Sequence, residues 1–268
     1  MAVDDDNDNM EMSDGEDELD DDVSPSLIIP IKSGSKPGQF IEIFPEEMAD
    51  TPSSTLLQVL QDEDADLSVW ADAALGYIQH KSQSHAAAQI LEAGCERAKR
   101  DGSTDDRVRI YAAAGISHLT EAADFTANSS SGVTTGGSAG AGGANDRQLE
   151  LTQKADNRFT FSSKVDNLYP MTWMGKGMLN LSAGRLDQAK FFFDTTLKQC
   201  GQVLPALLGL AAVAFSETNY KLAQDLYGEA IRRYPTKSGA ASRVGFGLAC
   251  YRLGQVRTEY TLQDRHVH

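Results

Sequence analysis

Residues 207–235 read LLGLAAVAFSETNYKLAQDLYGEAIRRYP: small residues recur at helical spacing, histidine and cysteine are missing, and a proline closes the stretch. Residues 170–201, PMTWMGKGMLNLSAGRLDQAKFFFDTTLKQCG, lie without a gap over residues 204–235, LPALLGLAAVAFSETNYKLAQDLYGEAIRRYP. Gly177 falls on Ala211, Ala189 on Ala223, Phe193 on Tyr227 and Thr196 on Ala230, an offset of 34 residues. Two antiparallel helices approach closely only where small side chains face each other, with an aromatic filling the gap behind them. Alanine and glycine therefore permit the contact, and Pro235 stops the second helix.

A period of 34 with small residues at the eighth and twentieth places, an aromatic at the twenty-fourth and proline near the thirty-second is the tetratricopeptide (TPR) pattern. The pattern extends in both directions. In a repeat starting at Leu67, Trp70, Ala74, Tyr77, Ala86, Ile90 and Ala93 take the fourth, eighth, eleventh, twentieth, twenty-fourth and twenty-seventh places. Residues 105–161 read as the two helices of a degenerate repeat, split by the Gly/Ser/Thr stretch TANSSSGVTTGGSAGAGGA at 126–144, which is expected to be a flexible loop. Downstream, SRVGFGLACYRLGQ opens a half repeat over 240–255 with Gly247 at the small position, 36 residues past Ala211. The packing signature then comprises Trp70, Ala74, Tyr77, Ala86, Ala93, Trp173, Gly177, Ala189, Phe193, Leu207, Ala211, Ala223, Tyr227, Ala230, Pro235 and Gly247.

The expected fold is all-α, a TPR helical-hairpin solenoid over 51–255, with repeats at 67–100, 105–161, 170–203 and 204–237. Before it, SLIIPIKSGSKPGQFIEIFPEE alternates β-branched and aromatic residues with turn formers, so 26–50 reads as two short extended segments or one hairpin. Capping residues and Pro52 predict a helix starting near 52–54. After Gln255 the pattern fails: VRTEYTLQDRHVH has no apolar stripe, and 256–268 reads as an irregular terminus. Half a repeat leaves the preceding pair exposed, so the chain is expected to be a truncated piece or to carry an incorrect end.

Charge is unevenly placed. Of a net −15, residues 1–22 hold 12 acids and no Lys or Arg, leaving −3 for the rest. Such a block cannot bury apolar surface, so residues 1–25 read as a disordered acidic tail, either solubilising or an arm for a basic partner. Ser13 in SDGE suits an acid-directed kinase. The start has no secretory or transit signal, and VLPALLGLAAVAF is too short to span a bilayer, so a soluble intracellular protein is expected.

Chemistry is sparse. Cys95, Cys200 and Cys250 lie far apart and read as buried thiols rather than a zinc site or disulfides. His80 and His85 do not share a helix face, and neither H-E-x-x-H nor a nucleophile motif occurs. His266 and His268 form an H-x-H on a tip expected to be disordered. The Gly-rich stretch continues GGANDRQ, without the Lys-Ser/Thr of a phosphate loop. No catalytic residue, cofactor or metal is expected. The near-neutral folded part offers few phosphate contacts, and Arg232 and Arg233 read as complements to a helix carboxyl end, so neither nucleic acid nor membrane is an expected partner.

The order of features after the acidic tail carries a resemblance: IIPIKSGSKPGQFIEIF, LLQVLQDEDADLSVWADAALGY, ALLGLAAVAF and RVGFGLACYRLG. This series resembles the amino-terminal part of the TPR scaffold subunit of the RNA polymerase II-associated factor (Paf) complex, over roughly 27–255. The Gly/Ser insertion, the acidic terminus and the last thirteen residues depart from that family. The resemblance implies a non-catalytic nuclear scaffold that holds the other Paf subunits, in particular the one that names the complex. It also implies travel with RNA polymerase II during elongation and promotion of histone ubiquitination and methylation.

In a TPR superhelix the groove is lined by the first helix of each pair, here by Met171, Met174, Met178 and Leu181, then Pro205, Leu208, Ala212 and Phe215. That lining is apolar. A methionine stripe reads either as packed core or as a groove for an apolar partner segment. The alternative function is a generic TPR adaptor, for instance a cochaperone, but the Lys and Asn clamp of chaperone-tail TPRs is missing at these places.

Overall fold

The computed structural model describes residues 26–32, 38–81, 83–130, 141–201 and 203–254. The acidic tail with Ser13, the stretch 131–140 and the terminus with His266 and His268 lie outside the described residues. The chain begins with an antiparallel hairpin, β1 (Leu27–Pro30) and β2 (Phe40–Ile43), in which Ile29 faces Ile41. Leu27 and Ile29 are buried and β1 leans on α3 (Leu67–Lys81). Of the two forms the sequence allowed, this is the hairpin.

Residues 45–50, expected to be extended, instead form α1 (Pro45–Asp50). Pro45 stands at its first position, and Glu47 Oε2 accepts a hydrogen bond from Phe44 N–H at 3.2 Å. Both are helix-start signals. Met48 then packs against Gly76 of α3. Helix α2 (Ser53–Asp62) begins right after Pro52 and buries Leu56 and Leu60.

From Leu67 onward the helices come in antiparallel pairs: α3 with α4 (Ser84–Asp101), α5 (Thr104–Ser130) with α6 (Ala141–Val165), α7 (Pro170–Ser182) with α8 (Leu186–Cys200), and α9 (Leu204–Ser216) with α10 (Tyr220–Arg233). A further helix, α11 (Gly239–Arg252), packs on α10. The first helices of successive pairs, α3, α5, α7, α9 and α11, touch one another in order and form one layer. This is an all-α TPR solenoid preceded by a small hairpin.

Of the stretch 126–144 expected to be a loop, residues 126–130 and 141–144 are helical. Helix α5 runs to Ser130 and α6 starts at Ala141. Thr126 returns its Oγ1 hydrogen bond to the Ala123 carbonyl at 2.7 Å, inside the helix. Extending a helix already nucleated by packing costs far less than starting one, so polar, low-propensity residues continue the turn.

The tight turns inside the pairs repeat as well. Gly184 (φ +72°), Thr218 (φ +62°) and Gly254 (φ +75°) hold the same left-handed position at steps of 34 and 36. Asn219 caps α10 by accepting from Leu222 N–H at 3.2 Å. Helix α10 ends at Arg233, one residue before Tyr234-Pro235, with Arg233 paired to Glu229 at 2.7 Å.

Candidate functional site

The packing signature has a concrete centre in three aromatic rings. Phe159, Phe193 and Tyr227 follow one another at steps of 34 on α6, α8 and α10. Phe193 is fully buried between two glycines: a β-carbon on Gly177 of α7 would lie 2.7 Å from its ring, and one on Gly209 of α9 2.5 Å. Phe159 sits likewise between Gly115 of α5 and Gly175 of α7, and Tyr227 against Gly245 of α11 at 2.6 Å. Each ring thus joins its own pair to the next one. Sequence reasoning missed Phe159, although it stands 34 residues before Phe193.

Trp70, Ala74, Tyr77, Trp173, Gly177, Ala189, Phe193, Leu207, Ala211, Ala223 and Ala230 are buried, and Tyr227 is half-buried. Ala86 and Ala93 are half-buried beside the buried Ala87 and Gly94. Pro235 and Gly247 are exposed, and nothing lies within 4 Å of the β-carbon position of Gly247. Two hydroxyl and indole anchors fix the first repeat: Tyr77 Oη donates to the Thr51 carbonyl at 2.8 Å and Trp70 Nε1 to the Ala65 carbonyl at 3.1 Å.

The candidate groove residues divide. Met171 and Met178 are each 40% exposed, whereas Met174 between them is buried at 6%. Leu181, Leu208, Ala212 and Phe215 are half-buried, Pro205 is exposed, and the Phe215 ring meets Tyr220 edge-on at 5.2 Å. Lys176 of α7 is half-buried and donates to Ser163 Oγ at 2.7 Å; burial lowers its pKa. The open face of α7 is therefore Met171 and Met178, apolar and flexible, with Met174 serving the core.

A partly buried polar network ties α4, α5 and α6 together. Glu92 Oε1 accepts from His118 Nε2 at 2.7 Å and from Arg158 Nε at 2.8 Å, and Arg158 Nη2 donates to Glu92 Oε2. Glu121 Oε1 accepts from Arg147 Nη2 at 3.0 Å and from His85 Nδ1 at 2.9 Å. The other nitrogen of His118, Nδ1, is buried without a hydrogen-bond partner, 3.9 Å from Glu121 Oε2. Burial opposes the Glu92 charge, but the hydrogen bonds from His118 and Arg158 outweigh it and hold that carboxyl at about 2. The histidines that look dispersed in sequence are thus partly gathered, because α4 and α5 bring positions 85, 92, 118 and 121 to one helix interface. Among the described residues no group of His, Cys, Asp and Glu is arranged to hold a metal.

Two of the three thiols differ from the expected burial. Cys95 is buried, and burial pushes its pKa up to about 12, but Cys250 is half-buried and Cys200 is exposed at the end of α8. Among the described residues no helix is long and apolar enough to cross a membrane.

No protein-family model matches the chain. It is 27% identical over 244 residues to the Protein CTR9 homolog of Arabidopsis thaliana, covering 90% of this chain and 20% of that protein. It is also 27% identical over 258 residues to the RNA polymerase-associated protein CTR9 of Caenorhabditis elegans, covering 93% of this chain and 20% of that protein. The chain spans about a fifth of the length of the curated relatives it matches. Among solved structures, a tetratricopeptide repeat protein from Parabacteroides merdae aligns over 70% of this chain and 73% of that chain, with 15% identity and a TM-score of 0.35. An assembly chaperone of RpL4, Acl4, aligns over 82% of this chain and 100% of that chain, with 14% identity and a TM-score of 0.33. Both structural likenesses are distant.

Proposed function

We propose that these repeats act as a non-catalytic protein-interaction scaffold within the Paf complex, serving RNA polymerase II elongation and the histone modification linked to it in the nucleus. The observation that carries this reading is the similarity along 90% of the chain to a protein named as a CTR9 homolog. The structure suits such a role. A continuous layer of first helices presents Met171 and Met178 outward, and methionine adapts readily to a partner's apolar side chains. The partners are the other Paf subunits, with the name-giving subunit in the groove and RNA polymerase II engaged through the complex.

Affinity purification of the native protein from nuclease-treated nuclei tests the reading. Recovery of the other Paf subunits and of RNA polymerase II, unaffected by the nuclease, is the expected result. Recovery of chaperones in their place would overturn it in favour of a cochaperone adaptor.

A further inference from the structure

The two edges of the hairpin are not alike. Ile31 N–H donates to the Gln39 carbonyl at 2.8 Å, and Pro30, opposite Phe40, has no N–H to give. In an antiparallel ladder bonded and non-bonded pairs alternate. Ile29–Ile41 and Leu27–Ile43 are therefore the bonded pairs, and the N–H and C=O groups of Phe40 and Glu42 point away from β1. On the opposite edge, Pro30 removes a donor, the usual way to blunt an edge strand. Among the described residues the β2 edge, Phe40–Ile43, carries no proline. Phe40 is 61% exposed, and Ile28, on the same outer face, is 50% exposed.

We infer that the free edge of β2 at Phe40 and Glu42 takes up an extended segment of a partner protein as a third strand, a segment with an aliphatic residue opposite Phe40 and a lysine or arginine opposite Glu42. The side chains of positions 40 and 42 share the outer face, so the two partner residues stand two apart on one face of the added strand. Charge complementarity selects the basic residue: Glu42 is exposed, and among the described residues its carboxylate is engaged by Ser26 Oγ alone, at 2.6 Å. The same charge disfavours the chain's own residues 1–22, with 12 acids and no Lys or Arg. A second copy is disfavoured by size. Pairing two four-residue strands edge to edge covers a few hundred Å², well under the roughly 1,200 Å² at the low end of stable interfaces. This surface lies outside the helix groove and stands independently of the Paf reading.

The probe is a fluorescein-labelled peptide, Thr-Thr-Val-Thr-Lys-Thr-Thr, titrated to millimolar concentration against the full chain, with a Lys-to-Glu peptide as control. Fluorescence anisotropy is expected to show at least fivefold tighter binding of the lysine peptide. Amide hydrogen exchange at Phe40 and Glu42 is expected to slow at least tenfold on its addition. Glu42→Pro, which removes only an outward N–H, is expected to abolish binding while the Ile41 amide stays protected. Glu42→Lys is expected to reverse the preference toward the glutamate peptide, and it keeps the test decisive should the proline variant unfold. Unchanged exchange at the two amides would overturn the inference. So would a dimeric mass by light scattering with these amides already protected, or protection that vanishes when residues 1–25 are removed.

Discussion

The ring of Phe193 occupies the space that a β-carbon on Gly177 would need, with Cε1 2.7 Å from that point. Because Gly209 crowds the other side of the same ring, Phe193 has nowhere to retreat. Gly177→Ala therefore forces a helix pair apart. The expected cost is about 1–3 kcal/mol, the scale of overpacking a filled core. In an open helix the same change stabilises by about 1 kcal/mol, and Gly247→Ala, with nothing within 4 Å, is expected to do so. Urea midpoints followed by far-UV circular dichroism read both, and the two shifts are expected to have opposite signs.

Phe159 is fully buried while Phe191 is 64% exposed. Truncating the first leaves a cavity between α5, α6 and α7, so Phe159→Ala should cost about 3–5 kcal/mol. Phe191→Ala should stay within about 0.5 kcal/mol of the parent. Thermal unfolding compares them directly.

Thr218 holds the left-handed conformation that glycine holds at 184 and 254. A β-branched residue is strained there, by roughly 1 kcal/mol or more. Thr218→Gly is expected to raise stability by about that amount, a gain seen as a higher urea midpoint with unchanged slope.

Glu92 titrates at about 2 in the folded chain against an ordinary 4.5. A carboxyl depressed by folding adds stability that is complete above the unfolded value and is lost as pH falls through the folded one. The window is therefore pH 4.5 down to about 2. Glu92→Gln removes the charge that Arg158 and His118 face, and it should lower stability at pH 7 while flattening the acid limb of the melting-temperature profile in that window. An unchanged acid limb would show that the Glu92 carboxylate does not contribute to acid unfolding.

The helix pairs were legible because close approach writes itself into sequence: Gly177, Ala189, Ala211 and Ala223 recur at a fixed step. Their aromatic partner was legible at Phe193 and Tyr227, yet the same step leads back to Phe159, hidden only by the preceding Gly/Ser stretch. Helix α1 was within reach too, since Pro45 and Glu47 mark its start. The Glu92–His118–Arg158 network was not, because its members lie 26 and 66 residues from Glu92 and meet only through tertiary packing. Exposed and core methionines could not be separated either. Met171, Met174 and Met178 share a helical stripe, and the neighbouring helices alone decide that the middle one is covered.

The proposed partner groove is most directly tested by Met171→Glu combined with Met178→Glu, since both side chains are open to solvent. Met174→Glu, by contrast, buries a charge and should unfold the repeat. The full chain, co-expressed with the name-giving Paf subunit and passed through size-exclusion light scattering, gives the decisive reading. A one-to-one complex is expected for the parent and a free, equally helical chain for the double variant. A parent chain that elutes alone, helical and monodisperse, would contradict the scaffold assignment.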